Sequence, residues 1–253
     1  MTLLNNSVIK RLGIFCFYDK NGHAARFLDG FLAALTQNLT DLVIIVNGKI
    51  DDETRKLFSK YKQALLTIGW EKLETYDEVL CLNDTIMGPV YPFDEMFETM
   101  SHRDVDFWGI TAYAGETVNG EKIPTHLQAY WHAYRRDMVS SQALHEYWEN
   151  MPLWSDYAEV TRKHEMTFTE HFAKLGFKWD SYIDWRKYKG YSSYPLLYMP
   201  MQLLRDDRCP VFKRRSFFVD YSAYFDQTAG QPALDLYDFL KNETDYDVDL
   251  IWD

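Results

Sequence analysis

The segment "EVLCLNDT" (78–85) changes within a few residues from an apolar strand to three adjacent polar side chains. Residues 79–82 are apolar, which is typical of a strand buried on both faces of a sheet. Asn83, Asp84 and Thr85 then follow where that strand should end. Such residues form turns for local reasons, but polar groups at strand ends also bind ligands. The segment therefore predicts a central strand and raises the question of what its polar end does.

Strand and helix patterns alternate on either side of this segment. In chain order these are strand 12–19, amphipathic helix 24–39, buried strand 41–48, helix 52–73 with a break near Gly69, strand 78–82, helix 92–103 and strand 105–113. This order predicts an α/β fold with a mostly parallel sheet and helices on both faces. In such sheets ligands bind beyond the carboxyl ends of the strands. Tyr18, Asp19 and Asn47 end the two earlier strands, so we expect them near Asn83, Asp84 and Thr85.

Composition excludes several classes of protein. The chain has 253 residues and a net charge of −11, which argues against a general nucleic-acid binder. Its three cysteines are far apart, so neither a disulfide framework nor a zinc site is expected. No apolar run approaches the roughly 18 residues of a membrane span. We expect a single cytoplasmic domain over 1–253, with an irregular accessory region towards its carboxyl end.

Several blocks of the sequence resemble the rhamnan synthesis F family, whose members transfer sugars to bacterial cell-wall rhamnose polysaccharides. The blocks are "YDEVLCLNDTIMGPVYPFDEMFETM", "RDVDFWGIT", "HLQAYWHAYRRDMV", "TEHFAKLGFKWDSYI", "CPVFKRRSFF" and "TDYDVDLIWD". They span nearly the whole chain in the family's order. The resemblance implies a GT-A-like, Rossmann-like glycosyltransferase. Its nucleotide-sugar half would be 12–113, and its acceptor and catalytic half 114–253.

The resemblance also implies a reaction and its partners. The donor would be a nucleotide-activated deoxyhexose, commonly dTDP-rhamnose. The acceptor would be a growing glycan, free or lipid-linked, reached from the inner face of the membrane. The abrupt ending "DYDVDLIWD" would suit one part of a longer multidomain transferase. A non-catalytic glycan or nucleotide-sugar binding module is the alternative, whereas a nucleotidyltransferase is disfavoured because no Gly-rich loop follows the first strand.

One departure from the family pattern motivates that alternative. The family usually has a further strand and an Asn-x-Gly-x-Asp-Phe-Gly loop before the helix that matches "KQALLTIGWEKL" (62–73). Here "LFSKY" (57–61) runs directly into Lys62. Either the chain has lost this loop, or the sequence leaves out the stretch that carries it. A true loss would remove part of the donor pocket.

Asp84 is the expected donor-side carboxylate. Related enzymes often end a central strand with two carboxylates that hold Mg²⁺ or Mn²⁺ on the donor diphosphate. Asn83 stands where the first of those carboxylates would be, which weakens a metal site because both ions favour anionic oxygen ligands. Alternatively, Asp84 caps the turn that follows the strand.

Glu165 is the candidate catalytic base. Many inverting GT-A enzymes place an acidic pair at the head of a helix, about a dozen residues before a glycine. "HEMTFTEHFAKLG" has this layout, with His164 in place of the first acid and Gly176 at the end. Glu170 is a competing carboxylate. Glu165 could instead be a solvated first-turn glutamate favoured by the helix dipole.

Three further groups of residues are candidates for substrate binding. Lys213 and Arg215 would share one face of an extended segment and clamp a diphosphate; alternatively they would form a solvated face or pair with the abundant acids. His126 and Gln128 would share one side of a strand and hydrogen-bond sugar hydroxyls, with Trp131 and Tyr130 as stacking surfaces. Tyr18 and Asp19 lie where related folds contact the nucleobase and ribose.

Overall fold

The computed structural model describes residues 9–18, 25–47, 57–118, 120–152, 159 and 161–253. Within these residues, six strands form one sheet in the order β10-β4-β9-β3-β1-β2. The strands are β1 (Arg11–Tyr18), β2 (Asp41–Asn47), β3 (Glu78–Asn83), β4 (Phe107–Gly109), β9 (Trp131–Arg135) and β10 (Trp179–Ser181). Short strands β5 (Ala112–Tyr113) and β8 (His126–Leu127) pair with each other, as do β6 (Glu116–Val118) and β7 (Glu121–Ile123).

Helices of the described chain connect and cover these strands. In the first half they are α1 (Phe27–Thr36), α2 (Leu57–Ile68), α3 (Trp70–Leu73) and α4 (Phe93–Ser101). In the second half they are α5 (Arg136–Val139), α6 (Gln142–Asn150), α7 (Met166–Lys174), α8 (Pro195–Tyr198), α9 (Pro200–Asp207) and α10 (Pro232–Glu243). A π-helical turn, Thr161–Glu165, leads into α7, and 3-10 turns lie at Trp185–Lys187, Arg214–Phe217, Tyr221–Ala223 and Val248–Trp252.

The two faces of the sheet carry separate hydrophobic cores. Alternate residues of a strand point to opposite faces, so Leu80 and Leu82 join one core while Val79 and Cys81 join the other. Helices α1 and α4 cover the first face, and α2, α6 and α7 cover the second. Burial on both faces explains why β3 reads as a continuous apolar run.

The mixed α/β fold with a mostly parallel sheet is confirmed. Strand β1 pairs in parallel with both β2 and β3, and β10 pairs in parallel with β4. Strand β9 is the exception, because it lies antiparallel between β3 and β4. The helix break near Gly69 is also confirmed, since Gly69 separates α2 from α3 with a φ of 83°.

The sequence prediction differs from the structure in two places. Strand β2 was expected to be buried, but it is at the sheet edge, and Ile44 and Val46 are exposed. Residues 105–113 were expected to form one strand, but they form β4 and β5, which belong to different sheets. Strands from 12–113 and 114–253 share the central sheet, and the division of labour between these halves stays a prediction.

Helix α2 crosses the point where the family loop was expected. It continues from Leu57 to Ile68, so within the described residues no strand or loop separates Tyr61 from Lys62. Tyr61, Ala64 and Leu65 of α2 are buried against the sheet. Among the described residues, no helix is long and apolar enough to span a membrane.

Candidate functional site

A cavity of about 700 Å³ opens at the carboxyl edge of the parallel strands. Cys16 and Phe17 near the end of β1, Ile45 near the end of β2 and Asn83 at the end of β3 form its floor. Residues predicted from the sequence to bind substrate also line it, namely Asn83, Asp84, Thr85, His126, Gln128, Glu165, Lys213 and Arg215. The expectation that polar strand ends of the sheet mark one site therefore agrees with the position of this cavity.

A tight turn at the end of β3 presents the first group of polar side chains. The Asn83 side chain is buried, and its Oδ1 accepts a hydrogen bond of 2.9 Å from the Thr85 backbone N–H. Asn83 thus forms the turn, as asparagine often does. The same turn brings Asp84 and Thr85 to the cavity wall. Asn83 therefore forms the turn and also lines the cavity beside Asp84 and Thr85.

Residues 210–213 are held beside this turn by backbone pairing. Met87 and Phe212 exchange two backbone hydrogen bonds, of 2.8 and 3.0 Å, and the Val90 N–H donates to Pro210 O at 2.8 Å. Gly88 allows the close approach, because a Cβ there would lie 2.5 Å from Pro210 O. This pairing carries the chain from distant residues to the strand end and places Lys213 over the cavity.

Lys213 is half-buried between the turn and an aromatic ring. Its Nζ donates to Thr85 Oγ1 at 3.1 Å and lies 4.6 Å from the centre of the Tyr130 ring. Burial lowers the pKa of Lys213 to about 8, and the charge of Arg215 also lowers it, whereas Glu165 and Asp84 oppose the shift. Lys213 therefore lies within electrostatic range of both candidate carboxylates.

Arg214 and Arg215 line the same cavity, although the segment is not extended as the sequence suggested. Lys213 is extended, but Arg214 begins a 3-10 turn that ends at Phe217. In such a turn successive side chains are about 120° apart instead of on opposite faces, so Arg214 is not turned to the side opposite Arg215. Arg214 was missed because the expected alternation put it on the other face; the basic triplet itself was the available signal.

Glu165 lines the same cavity. It ends the π-helical turn before α7 and is half-buried. Its Oε1 accepts a hydrogen bond of 3.2 Å from the Ala129 backbone N–H. The solvated first-turn interpretation therefore does not hold. The competing carboxylate, Glu170, does not line the cavity and pairs instead with Lys174 at 3.1 Å along the exposed side of α7.

His126 and Gln128 lie on the wall next to Glu165 and are buried. His126 Nδ1 is 2.8 Å from Pro124 O, which assigns the proton to Nδ1 and leaves Nε2 with its lone pair. Burial lowers the pKa of His126, so the neutral ring is favoured. The Tyr113 ring stacks on His126 at 5.1 Å, and Gln128 Oε1 accepts a 2.6 Å hydrogen bond from Thr111.

Trp131 is not a sugar-stacking residue, which corrects the sequence interpretation. Its ring is fully buried in the core of the α1 and α4 face, in contact with Phe93, Phe97 and Trp108. The ring therefore has no face open to the cavity. The neighbouring Tyr130 lines the cavity instead and lies under Lys213.

Three of the predicted strand-end residues cannot be placed in this site. Tyr18 and Asn47 end β1 and β2, but their side chains are not among the described atoms. Asp19 lies outside the described residues. Their predicted contacts with a nucleotide stay predictions.

Sequence reasoning missed other cavity residues in addition to Arg214. They are Cys16, Phe17, Ile45, Tyr113, Ala129, Thr161, Met166, Tyr194 and Leu197. Tyr113 ends β5, and Tyr194 packs edge-on against it at 6.2 Å. Nothing in the local pattern of an aromatic-rich segment separates a cavity tyrosine from a core tyrosine, so these positions carried no signal of their own.

The oxygen atoms of the turn after β3 do not fit a divalent cation. Asn83 Oδ1 accepts the Thr85 N–H, and Thr85 Oγ1 accepts from the Lys213 ammonium group. Asp84 is the one carboxylate of this turn. In the described part of the chain no group of three or more histidine, cysteine, aspartate and glutamate side chains is arranged to hold a metal ion. A single carboxylate beside a lysine is a poor Mg²⁺ or Mn²⁺ site.

Comparison with known proteins identifies the family. The sequence profile of "Rhamnan synthesis protein F" matches residues 34–253, which is most of the chain. The chain belongs to the rhamnan synthesis protein F family. This confirms the resemblance drawn from the sequence blocks.

Two individual proteins are also similar to the chain. "Uncharacterized protein y4gN" of Sinorhizobium fredii is 24% identical over 154 residues, which cover 54% of this chain and 39% of that relative. The matched part thus spans about two fifths of that relative's length. A crystal structure titled as a glycosyltransferase involved in the glycosylation of the major capsid of PBCV-1 has 11% identity and a TM-score of 0.42, covering 73% of this chain and 87% of its own. A likeness of this size does not show a common fold or activity.

Proposed function

We propose that the chain is a GT-A-like glycosyltransferase that takes a sugar from a nucleotide-activated donor. The observation that carries the proposal is the meeting of Asp84, Glu165 and Lys213 around one cavity at the carboxyl edge of the sheet. These residues come from three separate segments, and each supplies a group that sugar transfer needs. Membership of the rhamnan synthesis protein F family supports the same assignment.

Different residues of the cavity bind the diphosphate and the sugar in this proposal. Lys213, Arg214 and Arg215 bind the donor diphosphate, because guanidinium and ammonium groups match phosphate oxygens. The turn at Asp84 and Thr85 contacts the donor sugar. His126 and Gln128 present polar atoms beside the aromatic ring of Tyr113, a combination suited to the hydroxyls and C–H face of a sugar.

Glu165 acts as the base in an inverting transfer. An acceptor hydroxyl oxygen attacks the anomeric carbon of the donor while Glu165 takes the hydroxyl proton. The bond between that carbon and the diphosphate oxygen breaks, and the diphosphate leaves with the electron pair. The three cations stabilise the charge that develops on the leaving oxygen.

The family name favours a deoxyhexose donor such as dTDP-rhamnose and a growing surface glycan, free or lipid-linked, as acceptor. Since the chain matches only part of the curated relative, further domains of a longer transferase would complete acceptor recognition. The cytoplasmic side of the membrane is where an activated donor and a lipid-linked acceptor would meet.

Calorimetric titration with dTDP, UDP and GDP tests the proposal, followed by transfer assays with dTDP-rhamnose. We expect micromolar to millimolar binding of at least one nucleoside diphosphate, together with release of that diphosphate from the matching sugar nucleotide when a glycan acceptor is present. Absence of binding by all three nucleotides would reject the proposal. Binding without turnover would favour a non-catalytic sugar-nucleotide binding module, which a true loss of the family loop before Lys62 would also favour.

A further inference from the structure

We propose that the chain neutralises the donor diphosphate with its own cations, Lys213, Arg214 and Arg215, and binds the donor without a divalent metal ion. The inference rests on the proposed function and deepens it, since it specifies how that site holds its donor. Two observations lead to it: the donor set around Asp84 does not fit a metal ion, and three consecutive cationic side chains line the same cavity.

A metal ion would bind at the turn that follows β3. In a metal-dependent site, oxygen ligands at the strand end face the diphosphate and are free to bind the ion. Here the Lys213 ammonium group lies 3.1 Å from Thr85 Oγ1, beside the turn that holds Asp84. A divalent cation at this turn would be repelled by the ammonium charge. Lysine thus already supplies the positive charge that a metal would bring.

Arg214 and Arg215 present further positive charge to the cavity. The Arg214 Nε–H is buried and has no hydrogen-bond partner in the protein, although a buried donor normally has one. Its guanidinium group also lies 5.9 Å from the ring centre of Phe218, which restricts its orientation. An anionic oxygen in the cavity would satisfy this donor. Arg215 is exposed at the cavity wall and adds a third positive charge.

The surrounding acids do not cancel this charge. Asp84 and Glu165 both interact electrostatically with Lys213. Asp253 also interacts with Arg214, but it is already paired with Arg26 at 2.8 Å. Two carboxylates of the cavity lining therefore face three cations. The cavity keeps a local positive excess in a chain whose net charge is −11. This excess suits a diphosphate, which carries two to three negative charges.

Calorimetry in two buffers tests the inference. The wild-type protein is titrated with dTDP, UDP and GDP, first in EDTA and then with millimolar Mg²⁺ or Mn²⁺. We expect the dissociation constant of the preferred nucleotide to agree within about threefold between the buffers. Binding that requires the cation, or that tightens more than tenfold with it, would overturn the inference and leave the proposed function standing. Absence of binding in both buffers would overturn both.

Substitutions in the basic triplet identify the groups that replace the metal. Lys213→Met, Arg214→Met and Arg215→Met remove the charge and keep an unbranched apolar stem. In EDTA we expect each to weaken nucleoside diphosphate binding by about 10- to 100-fold, the range for a lost charge-assisted hydrogen bond. Lys174→Met is the matched control, because Lys174 is exposed on α7 and pairs with Glu170 outside the cavity. Equal affinities of all four variants and the wild type would overturn the inference.

Thermal unfolding separates loss of binding from loss of folding. Lys213→Met should not lower the melting temperature, since it removes a charge from a partly desolvated position. Adding salt provides a further readout: the affinity of the wild type should fall with ionic strength more steeply than that of Arg215→Met. Identical salt slopes would count against a direct contact between Arg215 and phosphate.

Discussion

Lys213 donates a hydrogen bond of 3.1 Å to Thr85 Oγ1, although the two residues are 128 positions apart in the sequence. Thr85 follows the central strand β3, whereas Lys213 opens the basic triplet of the second half. The backbone pairing of Met87 with Phe212 sets the two segments side by side. A single contact thus joins the strand-end turn to the proposed diphosphate site, and disturbing either partner should change donor binding.

The Thr85 hydroxyl should contribute to nucleotide binding because it holds the Lys213 ammonium group in position. Thr85→Val keeps the shape of the side chain but removes the acceptor for the Lys213 ammonium group. We expect nucleoside diphosphate affinity to fall by about 3- to 10-fold, equivalent to about 0.5–1.5 kcal/mol for one hydrogen bond. Thr85→Ser should restore most of the affinity. Calorimetry of the three proteins decides the point, and a valine variant that binds like the wild type would refute it.

Donor binding should weaken as the pH rises through about 8. The pKa of Lys213 is about 8 because burial disfavours its charged form, and an anionic ligand binds the protonated form better. Affinity measured from pH 6.5 to 9.5 should therefore be highest at the acidic end. Three other charged groups face this ammonium group: Arg215 lowers the pKa of Lys213 further, whereas Glu165 and Asp84 raise it.

Lys213→Met supplies the control for this pH profile. If Lys213 titrates, the variant should bind weakly with little change between pH 7 and 9.5, while a retained decline would assign the effect to another group. The folding stability of the unliganded protein should depend on the same ionisation of Lys213. The unfolded chain binds more protons between pH 8 and 10.5, so stability should rise with pH in that window. The variant should be more stable than the wild type at pH 7, by about 1–3 kcal/mol.

Gly88→Ala should disturb the cavity by displacing residues 210–213, which hold Lys213 in place. The added methyl would lie 2.5 Å from Pro210 O, and the Gly88 φ of 148° is unfavourable for other residues. The pairing that holds residues 210–213 must then shift, moving Lys213 away from Thr85. We expect a loss of about 1–3 kcal/mol in stability together with at least tenfold weaker nucleotide binding.

Gly176→Ala is the matched control for this change. Gly176 also has a positive φ, of 97°, but a Cβ there meets open space at the end of α7. It should lose stability through backbone strain and keep its nucleotide affinity. Chemical denaturation and calorimetry of both variants separate the two effects. If Gly88→Ala also kept its affinity, the pairing would not be what positions Lys213.

Local sequence patterns predicted the first half of the sheet well. Amphipathic spacing in α1 and the apolar runs of β1 and β3 reflect burial that is decided within each segment. The insertion of β9 between β3 and β4 was not predictable in this way. Strand pairing depends on long-range contacts, such as Cys81 opposite His132, which no single segment encodes.

The same limit explains the errors at the site. Trp131 and Tyr130 are adjacent and both belong to the core on the α1 and α4 face, so their sequence could not show that Tyr130 alone of the two also lines the cavity. Arg214 was assigned away from the cavity because an extended backbone was assumed where a 3-10 turn forms. By contrast, polar residues such as Asp84 and Thr85 at a strand end are costly to place in a core, and their position at the cavity could be foreseen.

Glu165 should be required for transfer but not for donor binding. Glu165→Gln keeps an oxygen that can accept the Ala129 N–H, so the local structure should survive, while the amide cannot take a proton from the acceptor hydroxyl. We expect the transfer rate to fall by about 10²- to 10⁴-fold, with nucleotide affinity within about threefold of the wild type. Glu170→Gln, on the exposed side of the same helix, should retain full transfer. Full activity of Glu165→Gln would remove Glu165 as the base, and a parallel loss of binding would show that its role is to shape the cavity.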